Sequence, residues 1–345
     1  MRESTGENNF KGHTMRKIIT AVLAAGLLFL GACSTSTDAG GGGDGSFDPQ
    51  HLSGYVYAAD GETPIAGALV ELTYDGGANA DYLTTSDSAG RFTFTDELPE
   101  GSATLTAVKG GFQATASVNV PDDFANDVEL ELDTDASAIG VVPGSYDEIE
   151  AILDDLGYGF TTLDDADLAD WSTFADLQML FLNCGSDTSW AYDNDVVDNL
   201  RQFVYEGGFL YASDWEWEYI EQAWPDAVTF LDEDDGYPDV GKTGTVSGTI
   251  LRQELEDYLG SSTVDIYFDL PYWVVIEDVG PATEVLIEAD VEYYDGSLAD
   301  SPLMVDFNYG AGKVGYTTFH NEPQLDDQVR TVLVYFIFNQ PAGAR

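Results

Sequence analysis

Ser213, His320 and Glu322 have the side-chain types of a hydrolytic triad: a hydroxyl, an imidazole and a carboxylate. In such a set the imidazole takes the proton of the hydroxyl, and the carboxylate orients the imidazole. Ser213 directly follows the apolar run 209–212, and His320 and Glu322 directly follow the run 312–319. If both runs are strands of one α/β sheet, these side chains lie at the carboxyl ends of the strands, where such folds bind ligands.

The same positions also suit a binding or structural site without catalysis, and this interpretation is favoured over the triad. Its candidate residues surround the same two strand ends: Asp214, Trp215, His320 and Asn321. Further aromatic residues occur in the run 215–219 and at Trp224, Tyr272 and Trp273. They could form a ligand platform, but their helical spacing is more typical of core packing.

The acidic segment 232–239 is the candidate metal site, with carboxylates at Asp232, Asp234 and Asp235. Carboxylate oxygens are calcium ligands, but the segment lacks the ligand spacing of an EF-hand loop. A solvated acidic loop is therefore favoured. We expect no resident cofactor, and calcium is the one ion left open. The sequence contains no zinc-type ligand spacing and no glycine-rich phosphate loop.

The elements that must position these residues belong to two regions. After residue 133 continuous apolar runs alternate with amphipathic helices, which predicts a largely parallel sheet covered on both faces. The predicted strands are 138–142, 177–182, 209–213 and 312–319, and the predicted helices are 146–156, 196–205, 215–224 and 326–339. Residues 226–309 are expected to interrupt this pattern as a β-rich insertion.

Three segments of this region, 176–185, 203–211 and 319–322, resemble the class I glutamine amidotransferase-like fold. The resemblance implies that His320 and Glu322 stand where that family has its base and orienting carboxylate. The family's cysteine nucleophile lies on an elbow with small residues two positions to either side. Here the elbow is expected at Ser213, with bulky Tyr211 and Trp215 as its flanks, and no cysteine is present. Cys184 follows an earlier strand and is expected to be a buried, inert thiol.

Residues 47–133 contain short alternating runs separated by turn residues, which predicts an all-β sandwich. The segments 54–56, 64–70, 85–94, 98–101 and 110–112 resemble the carboxypeptidase regulatory-like domain. That resemblance implies a transthyretin-like sandwich without catalytic residues. Some relatives of the fold bind starch-like sugars, so a carbohydrate-binding module is one alternative.

The N-terminal segment has a basic start at Arg16 and Lys17, an apolar run 18–30 and a Leu30–Cys33 ending, which indicates a secretory signal. This ending resembles the bacterial lipobox, which implies a diacylglyceryl group on Cys33 and a bilayer as partner. Residues 1–14 precede a second candidate start at Met15. Ser34 after the cysteine implies, by the same resemblance, sorting to the outer membrane. The glycine-rich segment 33–46 is predicted to be a flexible tether.

The net charge of −51 excludes a nucleic-acid partner, because such a surface repels phosphate groups.

The sequence as a whole predicts a multi-domain chain with an all-β sandwich and an α/β domain that is mostly parallel and amidotransferase- or flavodoxin-like. The predicted boundaries are a signal at 1–32, a tether at 33–46, the sandwich at 47–133 and the α/β domain at 138–342. The predicted function is a non-catalytic binding or scaffold lipoprotein of the cell envelope, with an unknown ligand. The alternatives are a serine hydrolase using Ser213, His320 and Glu322, and a calcium- or carbohydrate-binding module.

Overall fold

The computed structural model describes residues 51–75, 82–134, 138–174, 176–232, 237–320 and 327–339. The predicted signal, Cys33, the tether and the candidates Asp234, Asp235, Asn321 and Glu322 lie outside the described residues. Residues Phe47–Arg345 form one compact unit. In the described part of the chain no helix is long and apolar enough to cross a membrane.

In the described residues of the N-terminal β region, seven strands form two sheets. Alternating side chains such as Val56, Val70 and Leu105 are buried between the sheets, as expected of a sandwich. One sheet has the order β4-β1-β7, and the other has the order β3-β2-β5-β6. The strands are β1 Ser53–Tyr57, β2 Leu69–Tyr74, β3 Tyr82–Thr85, β4 Arg91–Thr93, β5 Gly101–Lys109, β6 Phe112–Val120 and β7 Val128–Glu131.

Most of the other strands in the described part of the chain belong to one mixed sheet of nine strands. They are β8 Ile139–Val142, β9 Thr161–Thr162, β10 Met179–Leu182, β11 Phe209–Ser213, β12 Val228–Phe230, β13 Gly244–Ile250, β14 Thr263–Phe268, β15 Ile276–Val279, β16 Thr283–Tyr293, β17 Gly296–Tyr309 and β18 Gly312–Thr317. The large sheet has the order β14-β13-β16-β17-β18-β11-β10-β8-β9, and β12 pairs with β15.

The prediction of a mostly parallel sheet is wrong for half of this sheet. Strands β9, β8, β10, β11 and β18 pair in parallel, whereas β18, β17, β16, β13 and β14 pair antiparallel. The region 226–309 therefore supplies four strands of the same sheet. The physical reason is the connection: β16, β17 and β18 are joined by short turns, and such turns join only antiparallel neighbours.

Within the residues that the structure describes, six α-helices cover the sheet or connect its strands. Asp193 begins the longest helix of the parallel half by accepting a hydrogen bond from the Asp195 backbone N–H at 2.8 Å. Short 3₁₀ turns lie at Asp122–Ala125, Asp165–Ala169, Thr188–Tyr192 and Asp214–Glu216. The α-helices are α1 Ile149–Asp155, α2 Trp171–Phe174, α3 Asn194–Tyr205, α4 Trp217–Ala223, α5 Gln253–Leu259 and α6 Asp327–Phe338.

The β region packs directly against the mixed sheet. The ring of Phe112 on β6 lies 4.8 Å from the ring of Tyr158 and 4.7 Å from that of Phe338 on α6. The Tyr158 hydroxyl donates a hydrogen bond to the Leu132 carbonyl at 2.8 Å and accepts one from the Ala59 backbone N–H at 3.2 Å. One continuous apolar core therefore extends from the sandwich into the α/β part.

Candidate functional site

Three neighbouring parallel strands end at the same place in the structure. Strands β10, β11 and β18 are adjacent, and the residues that follow their carboxyl ends include Cys184, Asp214 and His320. Two of these residues are fully or nearly fully buried, and the His320 side chain is 12% exposed. The sheet topology thus brings together a thiol, a carboxylate and an imidazole that are far apart in the sequence.

Asp214 occupies the tight turn between β11 and α4, with φ at 45°. Its Oδ2 atom lies 2.9 Å from His320 Nε2, and its Oδ1 atom accepts the Val274 backbone N–H at 2.7 Å. The Asp214 carbonyl accepts a hydrogen bond from the Tyr316 hydroxyl at 2.6 Å. Burial raises the pKa of the Asp214 carboxyl, and the contact with His320 opposes that rise. The carboxylate is therefore held in one orientation by several partners.

The elbow is at Asp214, the residue with positive φ at the end of β11. The prediction that the elbow lies at Ser213 is therefore wrong by one position. The flanks two residues away are then Ala212 and Glu216, not the bulky Tyr211 and Trp215. The small Ala212 meets the steric requirement of a sharp strand-to-helix turn on that side.

Ser213 is a fully buried strand residue with extended backbone angles, φ −125° and ψ 138°. Its hydroxyl donates to Asp147 Oδ2 at 2.5 Å and accepts the Cys184 backbone N–H at 3.1 Å. The hydroxyl proton therefore points to Asp147 rather than to His320. Ser213 connects the ends of three strands and lacks the geometry of a serine nucleophile.

Cys184 is a buried, free thiol, as the sequence predicts. Its Sγ atom donates to Asp214 Oδ2 at 3.6 Å. Burial, followed by the nearby Asp214 charge, raises the pKa of the thiol far above its usual range. The thiol is therefore neutral at ordinary pH and is not an activated nucleophile.

Glu216 is a second buried acid beside the site, and it is absent from the residues predicted from the sequence. Its carboxyl group accepts the backbone N–H groups of Gly185 and Ser186 at 3.1 Å and 3.2 Å, and the Ser186 hydroxyl at 2.9 Å. Burial raises the pKa of Glu216 to about 8. The sequence does contain a sign of this residue: Glu216 is an acid within the aromatic run 215–219. Trp217 and Tyr219 of that run are core residues, so an acid between them is expected to be buried.

An open cleft of about 470 Å³ lies over the Asp214–His320 pair. Tyr146 is 50% exposed, and its ring stacks on the His320 imidazole at 6.2 Å with an interplanar angle of 16°. Trp215 is partly exposed, and its indole N–H donates to the Tyr272 carbonyl at 2.9 Å. The lining residues are aromatic, apolar or polar but include no lysine or arginine: Tyr146, Asp214, Trp215, Leu270, Pro271, Tyr272 and His320.

The structure brings together three of the predicted binding residues, Asp214, Trp215 and His320. Asn321 and Glu322 lie outside the described residues, so their roles stay predictions. Asp232 is exposed and has φ at 54°, and its predicted calcium partners Asp234 and Asp235 also lie outside the described residues. The aromatic residues considered as a ligand platform fall into two groups. Trp215 and Tyr272 line the cleft, whereas the others are buried in the core: Trp217, Tyr219, Trp224 and Trp273.

Comparison with solved structures found matches at low sequence identity and with TM-scores below 0.5. A ThuA-like protein from Bacteroides uniformis is 11% identical with a TM-score of 0.41, covering 57% of this chain and 87% of its own. A glutamine amidotransferase is 18% identical with a TM-score of 0.39, covering 58% and 97%. A GMP synthase component from Thermoplasma acidophilum is 12% identical with a TM-score of 0.39, covering 58% and 91%.

No curated protein matches the sequence significantly. A family match exists for the N-terminal β region, where residues 51–133 fit the family model of the carboxypeptidase regulatory-like domain. These residues include all seven strands of the two small sheets. In residues 51–133 the chain is therefore similar to the carboxypeptidase regulatory-like domain.

Proposed function

We propose that this chain is an exported, lipid-anchored binding protein that holds a small uncharged ligand of the carbohydrate class in its cleft without transforming it. The observation that carries the proposal is the arrangement of Tyr146, Trp215 and Tyr272 around the Asp214–His320 pair. Core packing does not account for Tyr146 and Tyr272, because about half of each side chain is exposed at the cleft.

The size and chemistry of the cleft support this ligand class. A volume of about 470 Å³ is in the range of small-molecule sites, which combine apolar walls with a few polar groups. Aromatic rings offer flat faces to the apolar faces of sugar rings, while a carboxylate and an imidazole can bond hydroxyl groups. Tyr146, Asp214 and His320 supply all three of these groups at one place.

The charge of the protein supports an uncharged ligand. The net charge of −51 repels anions, and the cleft lining carries no lysine or arginine to offset it. The Asp214 carboxylate already contacts His320, the Cys184 thiol and the Val274 N–H group. These contacts occupy the carboxylate, so it is not a free partner for an ammonium group of an organic ligand.

The Ser213 hydroxyl and the Cys184 thiol are the candidate nucleophiles near the cleft, and their surroundings favour binding without catalysis. The Ser213 hydroxyl is buried and bonded to Asp147, and burial raises the pKa of the Cys184 thiol. Neither group has the activating geometry of a nucleophile. The anchored location is supported by the sequence segment 15–33, with its basic start, apolar run and terminal cysteine.

The test is titration of the purified protein with a panel of neutral mono- and oligosaccharides, followed by tryptophan fluorescence and calorimetry. We expect saturable binding by at least one sugar and about 3- to 10-fold weaker binding by Tyr146→Ala, since a stacked ring contributes about 0.5–1.5 kcal/mol. Tyr294→Ala is the matched control, because Tyr294 is 71% exposed and does not line the cleft. Absence of saturable binding across the panel, or equal loss in both variants, would contradict the proposal.

A further inference from the structure

We infer that Cys184, Asp214 and His320 form a three-ligand site for a zinc-class divalent cation, with its fourth coordination position open to the cleft. The inference goes beyond the proposed function and does not depend on it, because metal binding is measured without any organic ligand. The observation behind it is that one donor atom of each residue lies within 4.8 Å of the other two.

The distances are close to those of a metal site. Zinc binds nitrogen and oxygen at about 2.0–2.2 Å and sulfur at about 2.3 Å, which puts tetrahedral donors about 3.3–3.8 Å apart. Asp214 Oδ2 lies 3.6 Å from Cys184 Sγ and 2.9 Å from His320 Nε2. The thiol and the imidazole would approach each other by about 1.3 Å at most, and Asp214 and His320 would separate by about 0.5 Å. Small side-chain rotations are enough for both changes.

The donor set selects the class of ion. A thiolate and an imidazole are ligands for zinc and similar transition metals, whereas calcium and magnesium take oxygen ligands. Cation binding would convert the Cys184 thiol to a thiolate and release its proton to solvent. The bound cation would then compensate the charge of the thiolate and of the Asp214 carboxylate.

The supports of the three donors are rigid. Each donor follows one of the adjacent strands β10, β11 and β18, so the sheet fixes their relative positions. The Val274 N–H group holds Asp214 Oδ1 at 2.7 Å, which turns Oδ2 toward the other two donors. Such contacts to the remaining atoms of a ligand are typical of metal sites, where they orient the carboxylate.

Two of the three donors line the cleft, which places the fourth coordination position of the cation on the cleft side. Asp214 and His320 both form its wall, whereas Cys184 is fully buried behind them. Three protein ligands with an exposed fourth position are the arrangement of zinc sites that bind water or a ligand group, and closed structural sites have four protein ligands. A cation here would therefore be reachable from solvent.

The experiment uses the purified protein, stripped with chelator and titrated with Zn²⁺ and with Co²⁺. We expect one equivalent of zinc by elemental analysis, and a thiolate-to-cobalt charge-transfer band in the near ultraviolet. Cys184→Ser should lose that band, and His320→Ala should bind zinc at least 10-fold more weakly. Asp198→Asn is the matched control and should bind like the unmodified protein, because Asp198 is exposed and is not part of the cluster.

Two outcomes would overturn the inference: less than about 0.2 equivalents of zinc on the folded unmodified protein, or a cobalt spectrum without a thiolate band. Both are measured on the unmodified protein, so a folding defect in a variant cannot obscure them. Circular dichroism confirms that each sample is folded. Zinc binding without sugar binding would contradict the proposed function alone, and the reverse result would contradict this inference alone.

Discussion

Asp214 Oδ2 and His320 Nε2 are 2.9 Å apart although 106 residues separate them in the sequence. They meet because β11 and β18 are parallel neighbours, with Ser213 paired with Thr317 in register. Each residue lies shortly beyond this register pair, so both chains leave the sheet on the same edge. The pair is thus a product of sheet topology, and its geometry depends on the backbone turn at Asp214.

The positive φ of Asp214 predicts a strong difference between two substitutions. Asp214→Asn should cost less than about 2 kcal/mol of unfolding free energy, because asparagine adopts this backbone region and keeps an acceptor for the Val274 N–H group. Asp214→Val should cost about 2–5 kcal/mol, since it adds backbone strain and leaves that buried N–H group without an acceptor. Urea denaturation measures both values.

Asp232 provides the control for the strain alone. It also has a positive φ, at 54°, but it is exposed. Asp232→Val should therefore cost only the strain of about 1–2 kcal/mol. An Asp214→Val variant no less stable than Asp232→Val would show that the buried hydrogen bonds of Asp214 contribute nothing.

Ser213 is predicted to stabilise the strand ends without taking part in chemistry. Ser213→Ala removes one partner of the Asp147 carboxylate and the hydroxyl that accepts the Cys184 N–H group, and should cost about 1–3 kcal/mol. The exposed hydroxyl of Ser102, which bonds Asn119 at 2.8 Å, is the control, and Ser102→Ala should change stability by less than about 0.5 kcal/mol. Labelling of the unmodified protein by a fluorophosphonate, lost in Ser213→Ala, would contradict this assignment.

The positions of strands and helices were more accessible from sequence than the site. Amphipathic spacing predicted the helix that the structure places at Asn194–Tyr205, with its end at Gly207, because the pattern is local. The sequence does not locate the elbow to one residue, because β11 is buried on both faces and no alternation of side chains marks its last residue. Nor does the sequence connect Cys184 to Asp214, since the two meet only through the pairing of β10 with β11. Pairing partners are tertiary information that residue spacing does not contain.

The shared core predicts that the sandwich and the α/β part unfold together. Phe112→Ala should destabilise the protein by about 3–5 kcal/mol, because the buried ring contacts Tyr158 and Phe338 across the boundary. Calorimetry should show one transition, shifted as a whole to lower temperature. Leu83→Ala, at a half-exposed position on β3, should leave the transition nearly unchanged. Two transitions, of which Phe112→Ala moves only one, would contradict the prediction.

The proposed lipid attachment at Cys33 predicts membrane association of the protein in a bacterial host. Cys33→Ser should move the protein from the membrane fraction to the soluble fraction and abolish incorporation of labelled palmitate. The physical reason is the loss of acyl chains, each buried CH₂ of which contributes about 0.8 kcal/mol. Cys184→Ser is the control and should stay with the membrane, because Cys184 is buried inside the fold. Unchanged fractionation of the Cys33 variant would refute lipid anchoring at this residue.

The buried Glu216 predicts that stability falls as pH rises. Its pKa is raised from 4.5 to about 8, so the unfolded state ionises first, and the folded state resists ionisation until about pH 8. The contribution of Glu216 is therefore fully present below pH 4.5, decreases by at most about 1.4 kcal/mol per pH unit up to pH 8, and is lost above it.

Glu216→Gln keeps an acceptor for the Gly185 and Ser186 N–H groups but does not titrate. The variant should match the unmodified protein near pH 4.5 and exceed its unfolding free energy by about 2 kcal/mol or more at pH 8. Glu292→Gln, at an exposed surface pair with Lys242, should show a difference that is small at both pH values. A stability difference between Glu216→Gln and the unmodified protein that stays constant from pH 4.5 to 8 would show that Glu216 is ionised in the folded state throughout.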